Sequence, residues 1–251
     1  MKNLKKSFVE FKLLIRSVPS AILSVFVLAV FAMNLLANKS INISVDWLAL
    51  DCGIIVSWVA FLCMDVLTRH FGPKAATQLS VFAIVVNLLA CVLMYVASVI
   101  GGTWGQYYEL GELPIINDAL NATFGGTWYV ILGSAIAFVA SAAINNFTNW
   151  GIGKTFKQKS NGFGAYAVVT YVSTAIAQFA DNLIFALLVS HFFFGWSITQ
   201  CLMCAATGMV AELLCEVVFS PIGYRLCKAW KEQGVGKEYL DCIEAQNTLA
   251  K

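Results

Sequence analysis

The sequence is poor in charge. Asp, Glu, Lys and Arg make up 12% of its 251 residues, against 59% hydrophobic residues and a mean hydropathy of +0.76. That balance is too apolar for a soluble domain and suits an integral membrane protein. Histidine is nearly missing as well. Its two copies, His70 and His191, are expected at opposite membrane faces and cannot share a metal. Neither HExxH nor GxSxG occurs, and carboxylates do not cluster as metal ligands do, so an intramembrane enzyme has nothing to work with. No catalytic residue, metal or cofactor is expected. The apolar runs nearly fill the chain and leave no separate soluble domain or ATP-hydrolysing module. The net charge of +2 gives no reason to expect a nucleic-acid partner.

What remains is span after span. A helix crosses the hydrocarbon core in about 20 residues, and six candidates meet that length: Val18–Leu36, Trp47–Leu67, Thr77–Ser98, Trp128–Trp150, Ala165–Phe192 and Trp196–Phe219. The expected fold class is an all-α integral membrane protein, a single domain of six transmembrane helices over 1–251 with short tails at 1–17 and 220–251. The first span follows a basic stretch, MKNLKK, as a signal peptide would. It is longer than a usual signal core and lacks a small-x-small cleavage site before Lys39, so it is read as a span. Eight cysteines are present, six of them inside spans, and disulfides are not expected there. Cys201 and Cys204 form a lone CxxC with no second ligand pair, which reads as packing on a helix face.

Basic residues sort the loops. Fifteen of the sixteen Lys and Arg lie before span one, between spans two and three, between spans four and five, or after span six, leaving Lys39 alone on the other side. By the positive-inside rule both termini are expected in the cytoplasm of a multi-pass inner-membrane protein. The connection Gly101–Gly126 has no basic residue but carries Glu109, Glu112 and Asp118. It is expected outside, as a loop that could cap an entrance.

Polar residues inside the spans carry the functional signal. In VVTYVSTAIAQFADNLIFALL (Val168–Leu188), helical spacing puts Thr170, Ser173, Thr174, Gln178 and Asp181 on one face of about 140°. A carboxylate at mid-membrane costs roughly 2.5–3.5 kcal/mol on insertion scales, so this face must turn inward, to bond a neighbouring helix or to line a ligand or proton site. The preceding span repeats the design: Ser134, Ser141, Asn145, Thr148 and Asn149 share a face of about 100°. A shift that lays Asn145–Asn146 on Asp181–Asn182 pairs two oppositely running spans, as an inverted repeat would. Glu212 and Glu216 are one turn apart in span six, followed by Pro221, where the helix should end or bend. As like charges in low dielectric they are candidates for proton coupling, unless they meet Lys or Arg at the interface. Asp65 closes span two, and Asp51, nearer the outer face, is expected to be solvated.

Four stretches then carry a likeness. NLLANK (Asn34–Lys39), MDVLTRHFGPKAA (Met64–Ala76), GSAIAFVAS (Gly133–Ser141) and VSTAIAQFADNLIF (Val172–Phe185) together resemble the queuosine precursor transporter family, also called the vitamin uptake transporter family. The resemblance implies a six-helix importer of 7-deazapurine precursors, such as a 7-cyano-7-deazaguanine-like base, with a fold like the substrate-binding subunits of vitamin importers. It marks Asn34, Asn38, Lys39, Asp65, Gly72, Ser134, Ser173, Thr174, Gln178 and Asp181. Three positions depart from the pattern: Arg69 where Glu is usual, Ala142 where Gln is usual and Asn145 where Asp is usual.

The side-chain chemistry fits a small planar heterocycle. Adjacent N–H donors on a guanine-like edge suit a carboxylate, and amides and hydroxyls match its carbonyl and ring nitrogens. Asn34, Asn38, Ser134, Asn145, Ser173, Thr174, Gln178 and Asp181 form the expected substrate-binding set, with Asp65, Glu212 and Glu216 as coupling candidates. Trp47, Trp58, Trp128, Phe138 and Tyr171 are available for stacking, although Trp47 and Trp128 also sit where interfacial belts are expected. A substrate-capturing subunit of an ATP-driven vitamin or nucleobase importer is the alternative, and a homo-oligomer is left open. A purely structural scaffold would leave Asp181 unexplained.

Overall fold

A computed structural model of the chain describes residues 2–105, 114–157 and 163–249. In hydrocarbon a backbone must satisfy its own hydrogen bonds, and helices do so within one segment. The described residues are accordingly almost all helical. The helices are α1 (Lys2–Ser17), α2 (Ser20–Leu36), α3 (Ile54–Phe71), α4 (Pro73–Val99), α5 (Pro114–Lys157), α6 (Phe163–Phe185), α7 (His191–Phe194), α8 (Ile198–Glu232) and α9 (Lys237–Leu249). Two-residue strands β1 (Ser40–Ile41) and β2 (Leu50–Asp51) pair antiparallel, with Ser40 opposite Asp51. Among the described residues, five helical stretches are long and apolar enough to cross a membrane: Ile54–Phe71, Pro73–Val99, Ile115–Ser141, Thr174–Phe194 and Ile198–Phe219. A sixth is reached if α1 and α2, which meet at a 105° bend, count as one broken span. The protein is an all-α integral membrane protein.

Several expected boundaries move, each for a local reason. The second span begins at Ile54 rather than Trp47, because the Asp51 carboxylate accepts the Gly53 N–H at 2.8 Å and turns the chain before the helix starts. The expected loop at Gly101–Gly126 is helical from Pro114 onward, with proline in the first-turn position that costs no hydrogen bond. Trp104 fastens the preceding turn to this helix. Its backbone N–H donates to Asn117 at 3.0 Å, its indole N–H to Asn121 at 2.8 Å, and its ring stacks on Phe124. The expected span Trp128–Trp150 lies within this helix, of which Ile115–Ser141 is long and apolar enough to cross a membrane among the described residues. Pro221 does not end its helix: α8 runs through it to Glu232, since one missing N–H can be tolerated within a membrane helix.

One compact unit comprises Met1–Phe31, Val56–Val86 and Cys215–Lys251. Here α1 packs against α9. The Glu10 carboxylate, 4% exposed, is paired with the Lys74 ammonium. His70 donates to the Val235 carbonyl at 2.9 Å, and Phe71, Trp230 and Tyr239 gather their rings at the same place. Burial pushes the Tyr239 phenol up to about 12. Trp58 stacks on Phe219 at 4.4 Å between centroids, beside an apolar groove of about 510 Å³ that runs from Pro19 to Trp230.

The second unit comprises Ala32–Ile55 and Asn87–Leu214. Its main contact is α5 lying along α6. Between α6 and α7 the helix widens into a π turn, Ala186–Ser190. Such a turn disturbs the normal ladder and frees carbonyls. The thiol of Cys201 donates to Ala186 O at 3.5 Å and the Tyr129 hydroxyl donates to Leu188 O. Gly133 makes this close approach feasible, because a Cβ there would run into Val189, which is fully buried against Ala37 and Val130. Cys201 is buried with Ala49, Ala186 and Trp196, so the CxxC cysteines pack on a helix face.

Candidate functional site

The two polar stripes meet where α5 lies along α6. Ser141 on α5 donates to Asp181 Oδ1 on α6 at 2.8 Å, and the same hydroxyl lies 3.0 Å from the Phe138 carbonyl. On the next residue of α6, the Asn182 amide donates to Glu212 Oε2 on α8 at 3.2 Å. Consecutive residues of one helix thus reach two different neighbours. Gly208 leaves the space this needs, since a Cβ there would fall 2.8 Å from the Asn182 amide nitrogen. Glu212 is 5% exposed and lies within electrostatic reach of Asp181 and Asp51. One turn before Asp181, Gln178 is 8% exposed, and its carbonyl oxygen has no hydrogen-bond partner among the described residues. An unpaired buried acceptor costs about 1–3 kcal/mol, which a ligand donor or an ordered water can recover.

The remaining expected site residues divide. Asn38 donates to Thr127 on α5 at 3.3 Å and to Leu35 O at 3.0 Å, so its amide serves to tie the end of α2 to α5. Asn34 is 4% exposed on α2. Ser134 and Thr174 are half-buried on α5 and α6. The side chains of Asn145, Ser173 and Glu216, and of Ala142 and Tyr171, lie outside the described residues. Asp65 is half-exposed and pairs with Arg69 at 2.9 Å, one turn along α3. At that exposure the pair is worth little. Trp58 gives one ring face to Phe219.

Three residues of the site were missed or misread from sequence. Ser141 lies on the expected polar stripe of its span but is not in the expected substrate-binding set. Asn182 stood beside Asp181 without being singled out. Asp51 was expected to be solvated, yet burial pushes its carboxyl up to about 6, against the pull of the Gly53 N–H. It precedes its helix in β2 and is within electrostatic reach of Cys204 and Glu212. The signal that could have found it is the DCG turn, in which a carboxylate satisfied by backbone can sit away from water.

A family model described as "Putative vitamin uptake transporter" matches residues 51–226. That range takes in Ser141, Asp181, Asn182 and Glu212 and leaves out Asn34 and Asn38. No curated protein and no solved structure matches the chain. With well over half of its length matched, and with apolar helices suited to crossing a bilayer, the chain belongs to the vitamin uptake transporter family.

Proposed function

We propose that the protein imports a 7-deazapurine precursor of queuosine across the inner membrane, binding the base at the α5–α6 seam. The observation that carries this reading is the pair of acceptors on one face of α6: the Asp181 carboxylate and, one turn earlier, the unpaired Gln178 carbonyl. A guanine-like edge offers adjacent N–H donors to match them, and a buried acceptor satisfied by the ligand favours ligands that carry those donors. Ser134 and Thr174 supply hydroxyls to the same two helices. Asn34 and Ser173 complete the set as the family resemblance assigns it, and Asn145 joins them from the polar stripe of α5. Glu212, held by Asn182 and within reach of the Asp181 charge, is the proposed coupling carboxylate. Family membership supports transport.

A thermal-shift panel on the purified protein tests the substrate. A true ligand present at 100 times its dissociation constant adds about 2.7 kcal/mol to apparent stability. 7-Cyano-7-deazaguanine should raise the midpoint, while 7-deazaadenine analogues, which present a different donor pattern, should not. A shift by thiamine, riboflavin or biotin instead would replace the deazapurine by a vitamin.

Both termini are proposed to be cytoplasmic, on the fifteen-to-one division of basic residues. Reporter fusions after Phe219 should be active only with a cytoplasmic reporter, and fusions in Gly101–Trp104 only with an external one. The opposite pattern would overturn the orientation.

A further inference from the structure

We propose that α1 lies in the plane of the membrane as an interfacial helix and docks on the headgroups of anionic phospholipids. The 105° bend between α1 and α2 sets the direction: when α2 stands across the bilayer, α1 runs nearly parallel to its surface. The faces of α1 are unequal. Leu14 is fully buried and Glu10 is 4% exposed, turned toward the rest of the unit. Phe8 and Val9 are 69% and 65% exposed, and Lys12 and Arg16 are exposed with them. At 100° per residue, Phe8, Val9, Lys12 and Arg16 fall within an arc of about 100°. That face mixes two large apolar side chains with cations and contains no acid. Glu10, the acid of α1, is turned away and neutralised by Lys74.

An exposed Phe–Val pair beside two cations is the composition of a helix seated at the headgroup boundary, where the apolar groups enter the acyl region and the cations meet lipid phosphates. The neighbouring helix supports the assignment of sides. Helix α9, against which α1 packs, exposes three acids, Glu238, Asp241 and Glu244, against one base, Lys237. Acids would be repelled by an anionic surface, so α1 faces the lipid and α9 faces water. The apolar groove beginning at Pro19, just past the bend, is lined by Ile22, Val25, Leu62 and Ile222 among others, a surface that acyl chains can cover.

The test uses the full-length protein, free of native cysteines, in nanodiscs of phosphatidylcholine alone or with phosphatidylglycerol. An environment-sensitive fluorophore is placed at Phe8→Cys or, as control, at Glu238→Cys. The position-8 probe should be shielded from aqueous iodide, and more so with phosphatidylglycerol, while the position-238 probe stays accessible in both. Each basic residue near the surface is worth roughly fivefold in binding, so Lys12→Gln with Arg16→Gln should lower the preference for phosphatidylglycerol about thirtyfold. Because both side chains are exposed, the double variant should fold and keep its thermal midpoint. Equal iodide access at position 8 in both lipids, greater shielding at 238 than at 8, or an unchanged lipid preference in the double variant would each overturn the proposal.

Discussion

Asp181→Asn is expected to lower the affinity for 7-cyano-7-deazaguanine by roughly 30- to 1000-fold. The substitution keeps the size of the side chain but removes its charge and exchanges one acceptor for a donor, which then opposes the N–H groups of the base. Loss of a charge-assisted hydrogen bond and of the partner for a buried donor comes to about 2–4 kcal/mol together. The Ser141 hydroxyl can still donate to the remaining carbonyl oxygen, so the α5–α6 contact should survive and the variant should fold. Ser134→Ala should cost nearer 1 kcal/mol, as a neutral hydroxyl does. Binding and uptake have to be measured on the same variant. A variant that binds and exchanges substrate normally but no longer accumulates it would move Asp181 from recognition to proton coupling. Normal binding together with normal accumulation would reduce it to helix glue.

The largest expected effect on stability is at Gly133. Replacement by valine drives a branched side chain into Val189 at the π turn, where the neighbouring side chains have no room to give. Overpacking of this kind costs about 1–3 kcal/mol, and a β-branched residue adds to it by having few rotamers in a helix. Gly126 on the same helix is the control, because a Cβ there meets nothing within 4 Å. Gly126→Ala should raise stability by up to about 1 kcal/mol through helix propensity alone. Thermal midpoints in one detergent compare them. A Gly133→Val midpoint at or above that of the parent would mean that α5 does not approach the π turn as closely as described.

The sequence carried the fold class because hydropathy in a membrane chain is nearly a sufficient signal: hydrocarbon leaves the backbone few choices, and apolar runs read directly as helices. The boundaries were less legible. Residues 114–126 are only moderately apolar, and nothing in their composition says that Asn117 and Asn121 fasten Trp104 to a helix. The DCG turn that delays the second span depends on a side chain bonding backbone, a local competitor that a hydropathy window averages away. Asp181 could be found because an acid at mid-membrane is costly on its own. Its partner could not, since the choice of Ser141 over Ser134 or Thr148 depends on how α5 and α6 are rotated about their axes. The pairing of Asn182 with Glu212 likewise rests on Gly208, a residue whose contribution is the absence of a side chain.

Ser141 holds a single hydroxyl proton between two acceptors, the Asp181 carboxylate at 2.8 Å and the Phe138 carbonyl at 3.0 Å. The proton can swing from one to the other without leaving hydrogen-bond range. Under the proposed reading, a base that donates to Asp181 would let the hydroxyl fall back on its own helix and release the acceptor. In neither arrangement is the donor stranded in the membrane interior. On that proposal, substrate entry at this atom would trade one bond for another, and a ligand with no N–H to offer would have nothing to trade.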